Sequence, residues 1–205
     1  MAWDKLTKAV LIATLVMLSA TFAYAEEFVA RVNGFQEVGG VGAGQTGAIR
    51  TDGNGTFHLH LDENTQQATF TLTYSDVGTP PIDTPRTVTQ AHIHFGQRHV
   101  GGGILVFLCA NPPVTPPAGT QACPNNAGTV TGTLMPANIQ AIGGQNVTAG
   151  DFDALVDALR GNAAYVNVHT TGFPVGEIRG QIRKDNGGGN DDTKDSRGKG
   201  KDNNK

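Results

Sequence analysis

The residues of this chain with the most chemical capacity are its histidines. Six occur, and five of them fall at or beside segments in which apolar and polar residues alternate. In Ala91-His92-Ile93-His94 the two imidazoles stand two residues apart, so an extended strand projects both from one face and sends Ile93 to the other. Tyr165, Asn167 and His169 alternate in the same way with Val166 and Val168, and Glu177, Arg179 and Gln181 form the polar set of the segment Gly176 to Ile182. If these strands are neighbours in one sheet, three histidines, a carboxylate and a guanidinium share a face.

Two chemistries fit that constellation. His92 and His94 with a third imidazole, His169, from another strand form a set suited to Cu or Zn, because imidazole binds both metals and strand alternation aims the rings the same way. The other is a hydrogen-bonded polar network of the same three histidines with Asn167, Glu177 and Arg179. There the rings donate to backbone carbonyls or to Glu177, and Arg179 pairs with Glu177 or another acid. His58 and His60 read as the solvent face of a half-buried strand, and His99 lies in a Gly-rich loop. Asn54-Gly-Thr56 and Asn146-Val-Thr148 match glycosylation acceptors, a motif common by chance, and Thr148 is better explained as a helix cap. There is no Gly-x-Ser-x-Gly elbow, phosphate loop or His-Glu-x-x-His helix. Conventional hydrolase and nucleotide-binding chemistry has no foothold, so no catalytic residue is assigned.

The elements that must position these residues are mostly strands. Alternation marks Phe28 to Val32, Thr56 to Leu61, Ala68 to Tyr74, Thr89 to Phe95, Gly103 to Cys109, Gly128 to Leu134, Ala164 to Thr170 and Gly176 to Ile182. The second and third are separated by Asp62 to Gln67, the composition of a hairpin turn. One helix interrupts the series: Phe152, Leu155, Val156 and Leu159 recur at helical spacing, with Thr148 as the expected cap and Gly161 as the stop. Many short strands with turn signals between them predict an all-β, two-sheet antiparallel β-sandwich, immunoglobulin-like or superoxide-dismutase-like, with one short helix near residues 151–160.

The ends of the chain differ in kind from this middle. Lys5 and Lys8 precede an apolar run from Ala9 to about Phe22, followed by Ala23-Tyr24-Ala25, the layout of a cleavable export signal over residues 1–25. The run is about 14 residues, shorter than the roughly 20 a spanning helix needs, and no later segment is apolar enough to anchor the cleaved chain. Loss of the signal removes two lysines and one aspartate, taking the formal charge from −3 to −4. Such mild acidity offers nothing to nucleic acid. Residues 26–183 then form one domain, and the polar segment 184–205, which has no large apolar residue, is expected to be a disordered tail. Export to the periplasm or the medium places Cys109 and Cys123, the only cysteines, where an even pair closes a disulfide. The chain between them, rich in Pro, has little means of ordering itself by burial.

Four strings, Val32-Asn-Gly-Phe-Gln-Glu-Val38, Ala91-His-Ile-His-Phe-Gly96, Tyr165-Val-Asn-Val-His-Thr170 and Gly176-Glu-Ile-Arg-Gly-Gln-Ile182, occur in the order seen in the CHRD domain. Phe28 to Arg183 resembles that domain, which is named for its repeats in the secreted vertebrate protein chordin and is found in many exported bacterial proteins. The resemblance implies an extracellular β-sandwich module, in chordin part of a protein that binds secreted growth factors. It therefore implies a non-catalytic binding or structural role toward an unidentified extracellular protein or small ligand. The chain departs from the common pattern at Glu37-Val-Gly-Gly40, where many members carry prolines, and in the long stretch between the cysteines. The His-x-His strand is also similar to that of copper-zinc superoxide dismutase, but no second histidine-rich metal loop of that kind is present.

Overall fold

The computed structural model describes residues 25–39, 47–78 and 87–187. The segment expected to be an export signal, apart from Ala25, and the expected tail from residue 188 onward lie outside the described residues. Among them, nine strands occur: β1 (Glu26–Asn33), β2 (Asn54–Asp62), β3 (Gln67–Ser75), β4 (Val88–Phe95), β5 (Gly103–Ala110), β6 (Gly128–Leu134), β7 (Ala164–Thr170), β8 (Ile178–Gln181) and β9 (Arg183–Lys184). One α-helix, α1 (Phe152–Arg160), precedes β7.

The β2–β3 hairpin shows how the pattern becomes structure. Phe57, Leu59 and Leu61 stand opposite Leu72, Phe70 and Ala68, and all six are buried, while His58 and His60 face outward beside Thr71 and Thr69. The Asp62 carboxylate accepts the Asn64 N–H at 3.1 Å, and Gln66 turns the chain at φ 49°. A short polar side chain thus does locally what the turn composition predicts.

All pairings are antiparallel, and the strands run β5-β4-β7-β8-β1-β2-β3-β6 in one continuous sheet, with β9 also on β1. The architecture is all-β with one helix, as expected. The hydrogen-bonded path has no break, so the two layers expected from the sequence are not delineated by the ladder. Instead the sheet curls until its two ends, β5 and β6, come back together and nearly close it. Gln121 bridges that seam: its side-chain NH2 donates to Leu108 O of β5 at 3.3 Å and to Thr131 O of β6 at 2.9 Å. A single core fills the inside. It joins Phe28, Phe57, Leu59, Leu72, Ile93, Val166 and Ile178 of the sheet to Phe152, Leu155 and Leu159 of α1.

Several local expectations are adjusted. The helix is capped by Asp151, whose carboxylate accepts the Ala154 N–H at 3.1 Å, and not by Thr148. The helix begins at Phe152, which puts Asp151 at the position from which a side chain reaches the free N–H groups of the first turn. The last strand starts at Ile178 and, past Ile182, resumes as β9, whose Lys184 pairs with Phe28. Paired backbone therefore extends beyond Arg183. The Cys109–Cys123 disulfide is present, with Cα atoms 5.0 Å apart. The chain between the cysteines is also held by Asn111, which donates to Val88 O and Cys123 O, both at 3.0 Å, and accepts from Cys123 N–H. Polar side chains order this loop where burial cannot. No helix among the described residues is long and apolar enough to cross a membrane.

The disulfide pins the segment that carries Gln121 to β5, beside the closing seam. Closing a loop of about 15 residues limits the unfolded chain by roughly 3 kcal/mol. The double substitution Cys109→Ala, Cys123→Ala is expected to lower the free energy of unfolding in urea by about that amount. The wild-type midpoint should fall likewise when dithiothreitol is present. A midpoint that ignores reductant would mean that Asn111 and Gln121 hold the seam without the bridge.

Candidate metal centre

Strand order decides what the alternating polar residues can do. β7 lies between β4 and β8, so His92, Asn167 and Arg179 stand in one cross-strand row and His94, Tyr165 and Gln181 in the next. His169 follows opposite Gln90. Ala91, Ile93, Val166 and Val168 point into the core, so the rows occupy the other face of the sheet. That face is buried too: His92 is 0%, His94 7%, His169 5% and Arg179 2% exposed. Its cover consists of the 3-10 turn Gly34–Gln36 with Glu37, the 96–102 loop and the 171–176 loop.

Backbone carbonyls from that cover set the histidine tautomers. His94 Nδ1 lies 3.0 Å from Gly102 O and His169 Nδ1 lies 3.1 Å from Pro174 O. A carbonyl only accepts, so both Nδ1 atoms carry the proton and both Nε2 atoms hold lone pairs. His169 Nε2 then accepts from His92 Nδ1 at 3.2 Å, which places the lone pair of His92 on its Nε2. The Nε2 atoms of His92 and His94 are buried without a hydrogen-bond partner. One ring nitrogen from each of the three histidines can be chosen so that all lie within 4.8 Å of one another. Two metal bonds of about 2.1 Å at a tetrahedral angle place their nitrogens roughly 3.4 Å apart, so closing the set on an ion requires the rings to draw together and His169 Nε2 to give up the hydrogen bond it accepts from His92. The Nδ1–H to carbonyl bonds of His94 and His169 are the supporting contacts that orient metal-binding imidazoles.

The rings are held in place by their neighbours. Phe107 of β5 meets His92 edge to face at 4.4 Å, and Tyr165 stacks on His94 with centroids 4.7 Å apart and planes 2° from parallel. The Arg179 guanidinium lies over the Tyr165 ring at 3.4 Å. Burial keeps all three imidazoles neutral. It pushes His92 down to about 2, with the His169 and His94 charges adding to the effect. It pushes His94 down to about 3, helped by His169 and opposed by the Gly102 bond, and His169 to about 4, opposed by the Pro174 bond. Neutral imidazole is the form that binds a metal ion.

The polar network expected beside the histidines is only partly where alternation put it. Asn167 is in it, donating to Ile178 O at 3.0 Å and to the Glu37 carboxylate. Arg179 is in it as well, donating through Nη2 to Gln97 O at 3.0 Å and Val100 O at 2.9 Å. Glu177 is not. Gly176, at φ 132°, turns the chain before the strand begins. The Glu177 carboxylate instead accepts from Thr51 Oγ1 (2.6 Å), Gly78 N (2.9 Å) and Thr170 Oγ1 (2.7 Å). Thr170 neighbours His169 on β7, and strand alternation puts its side chain on the opposite face. The acid beside Arg179 is Glu37, and the charge of each opposes the pKa shift that burial imposes on the other. Its place in the Val32 to Val38 string was the available sequence signal, and alternation could not find it because it lies outside any strand. Glycine at position 176 also makes room for this contact, since a Cβ there would sit 2.7 Å from both Asn167 Nδ2 and Glu37 Oε1. His60 pairs with Glu27 at 2.6 Å on the exposed face of β2, away from the cluster.

A family model, the CHRD domain, matches residues 28–182. The chain belongs to the CHRD domain family. That span begins in β1 and ends just before β9, so the CHRD domain includes every strand that carries the histidine rows and their cover. No curated protein matches the chain.

Burial raises the Glu37 carboxyl to about 7, against the Arg179 charge and the Asn167 bond, which pull it down. The folded protein therefore holds a proton that the unfolded chain releases near pH 4.5. The resulting stability is complete below that pH and is lost as the pH rises through about 7, a change on the order of 3 kcal/mol. Glu37→Gln keeps an acceptor for Asn167 and removes the charge. The variant is expected to lack this loss, so that its stability relative to wild type rises from pH 5 to pH 8 in chemical denaturation. Parallel pH profiles for the two proteins would contradict the assignment.

Proposed function

We propose that this chain is an exported CHRD module, residues 26–183, that binds one transition-metal ion, Cu or Zn, through His92, His94 and His169 and performs no catalysis. The observation that carries the reading is the trio of buried, neutral imidazoles with Nε2 lone pairs of His92 and His94 left without a partner. A buried polar atom without a hydrogen bond costs about 1–3 kcal/mol, and an ion bound by those lone pairs would remove the cost. Residues 1–25 would direct export and be cleaved, the polar segment that follows the β9 pairing would form a solubilising tail, and the module would act in the periplasm or the medium. Family membership supports a module rather than an enzyme. The two-layer sandwich remains part of this reading, with β5, β4, β7 and β8 as one layer and β1, β2, β3 and β6 as the other.

A second reading has its own observation. Asn167, Arg179 and the Glu37 carboxylate tie the covering segments to the sheet, which is the work of a structural network. In that case the module would present its loops to an extracellular protein or small ligand, and the histidines would serve packing alone.

Elemental analysis separates the two. Chain exposed to Cu or Zn and freed of excess metal is expected to keep close to one equivalent, and the His92→Ala, His94→Ala variant to keep none. Equal metal content in the two proteins removes the metal reading and leaves the structural one. Turnover of a substrate by the purified chain, abolished by His169→Ala, would contradict the non-catalytic assignment.

A further inference from the structure

Resting on that metal reading, the geometry points to a more specific ligand: we infer that the three-histidine site selects monovalent copper, Cu(I), over Zn(II) and Cu(II). Two features of the site carry this, one of charge and one of coordination number.

The ligand set is electrically neutral. It offers three imidazoles, and among the described residues the group has no carboxylate or thiolate member. The surroundings are as dry as the core, with His92 0%, His169 5% and His94 7% exposed. The cost of moving an ion from water into such a medium grows with the square of its charge, so a dication is penalised about four times as much as a monocation of equal size. Structural and catalytic sites for dications offset this with anionic ligands or with bound water that can lose a proton. Neither offset is built into this set. A fixed positive charge makes matters worse for a dication, because the Arg179 guanidinium lies over Tyr165, whose ring stacks on His94. The Glu37 carboxylate, the acid near Arg179, is bonded to Asn167 and does not belong to the histidine set.

The coordination number points the same way. Zn(II) takes four ligands, the fourth being water where the protein supplies only three. Cu(II) takes a tetragonal set. Among the described residues these rings are covered against solvent: Phe107 stands edge to face on His92, Tyr165 lies flat on His94, and the 96–102 and 171–176 loops close over the face through Gly102 and Pro174. Cu(I), with the same filled d shell as Zn(II) but half its charge, is content with two or three ligands. Three imidazole nitrogens within 4.8 Å of one another supply the trigonal set it accepts once His169 Nε2 exchanges its bond from His92 for the ion, with no room needed for solvent.

The test uses the purified wild-type chain. Under anaerobic conditions Cu(I) is titrated against the chromophoric chelator bicinchoninate, and Zn(II) and Cu(II) are titrated separately against chelators of known affinity. One Cu(I) per chain is expected, bound at least about 100-fold more tightly than Zn(II). X-ray absorption of the copper form should show three nitrogen ligands and no fourth donor. Arg179→Gln, which removes the nearby charge, is expected to narrow the preference by roughly tenfold while Cu(I) still binds. Zn(II) or Cu(II) binding as tightly as Cu(I), or a fourth ligand on Cu(I), overturns the selectivity and leaves the three-histidine site standing. Failure of all three ions to bind overturns the metal reading itself.

Discussion

The structure depends on burying both faces of the β4-β7-β8 part of the sheet. One face meets the aliphatic core, and hydrophobic transfer is enough to hold it. The other carries His92, His94, Asn167, His169 and Arg179, each of which must recover the hydrogen bonds it loses on leaving water. The covering segments answer that need with backbone carbonyls. Gly102 and Pro174 accept from His94 and His169, and Gln97 and Val100 accept from Arg179. The loops are thus held down by the polar residues they cover. The same bonds dictate where each imidazole proton sits, so the chemistry of the site follows from how its cover is attached.

The rest of the molecule secures this arrangement at a distance. Glu177, fully buried, gathers Thr51, Gly78 and Thr170 at the end of β7, fixing the start of β8 and with it the position of Arg179. On the far side the sheet closes where Gln121 spans β5 and β6, and β5 is the strand that carries Phe107 against His92. The helix packs Phe152, Leu155 and Leu159 into the core and delivers the chain directly into β7. A sheet closed in this way has little edge left on which to slip, and a one-residue slip of β4 would turn both of its histidines into the core.

Much of this was legible in the sequence because a strand has a strict two-residue period. The segments from Phe28, Thr56, Ala68, Thr89, Gly103, Gly128 and Ala164 became β1 to β7 with ends moved by two residues at most, and in β2 and β3 the buried residues are those the alternation assigned to one face. The same rule failed at Glu177, because Gly176 bends the chain out of register before the strand begins. Capping preference in turn misplaced the helix start at Thr148, because several polar residues precede the helix and only the actual first turn selects Asp151. Glu37 was beyond the reach of alternation, since a residue in a covering loop has no period to betray it.

The sequence by itself determined which side chains share a strand face, that two cysteines close one loop, and that His92 and His94 point the same way. Those properties are local and follow from chain geometry within a few residues. Only the tertiary structure decided that β7 lies between β4 and β8, that His169 therefore meets His92 and His94, and that a second layer of loops shuts water out. Strand order is set by contacts between residues far apart in the chain, which alternation leaves open. The state of each imidazole is set by carbonyls from Gly102 and Pro174, and no pattern of side chains reports where a backbone carbonyl will be.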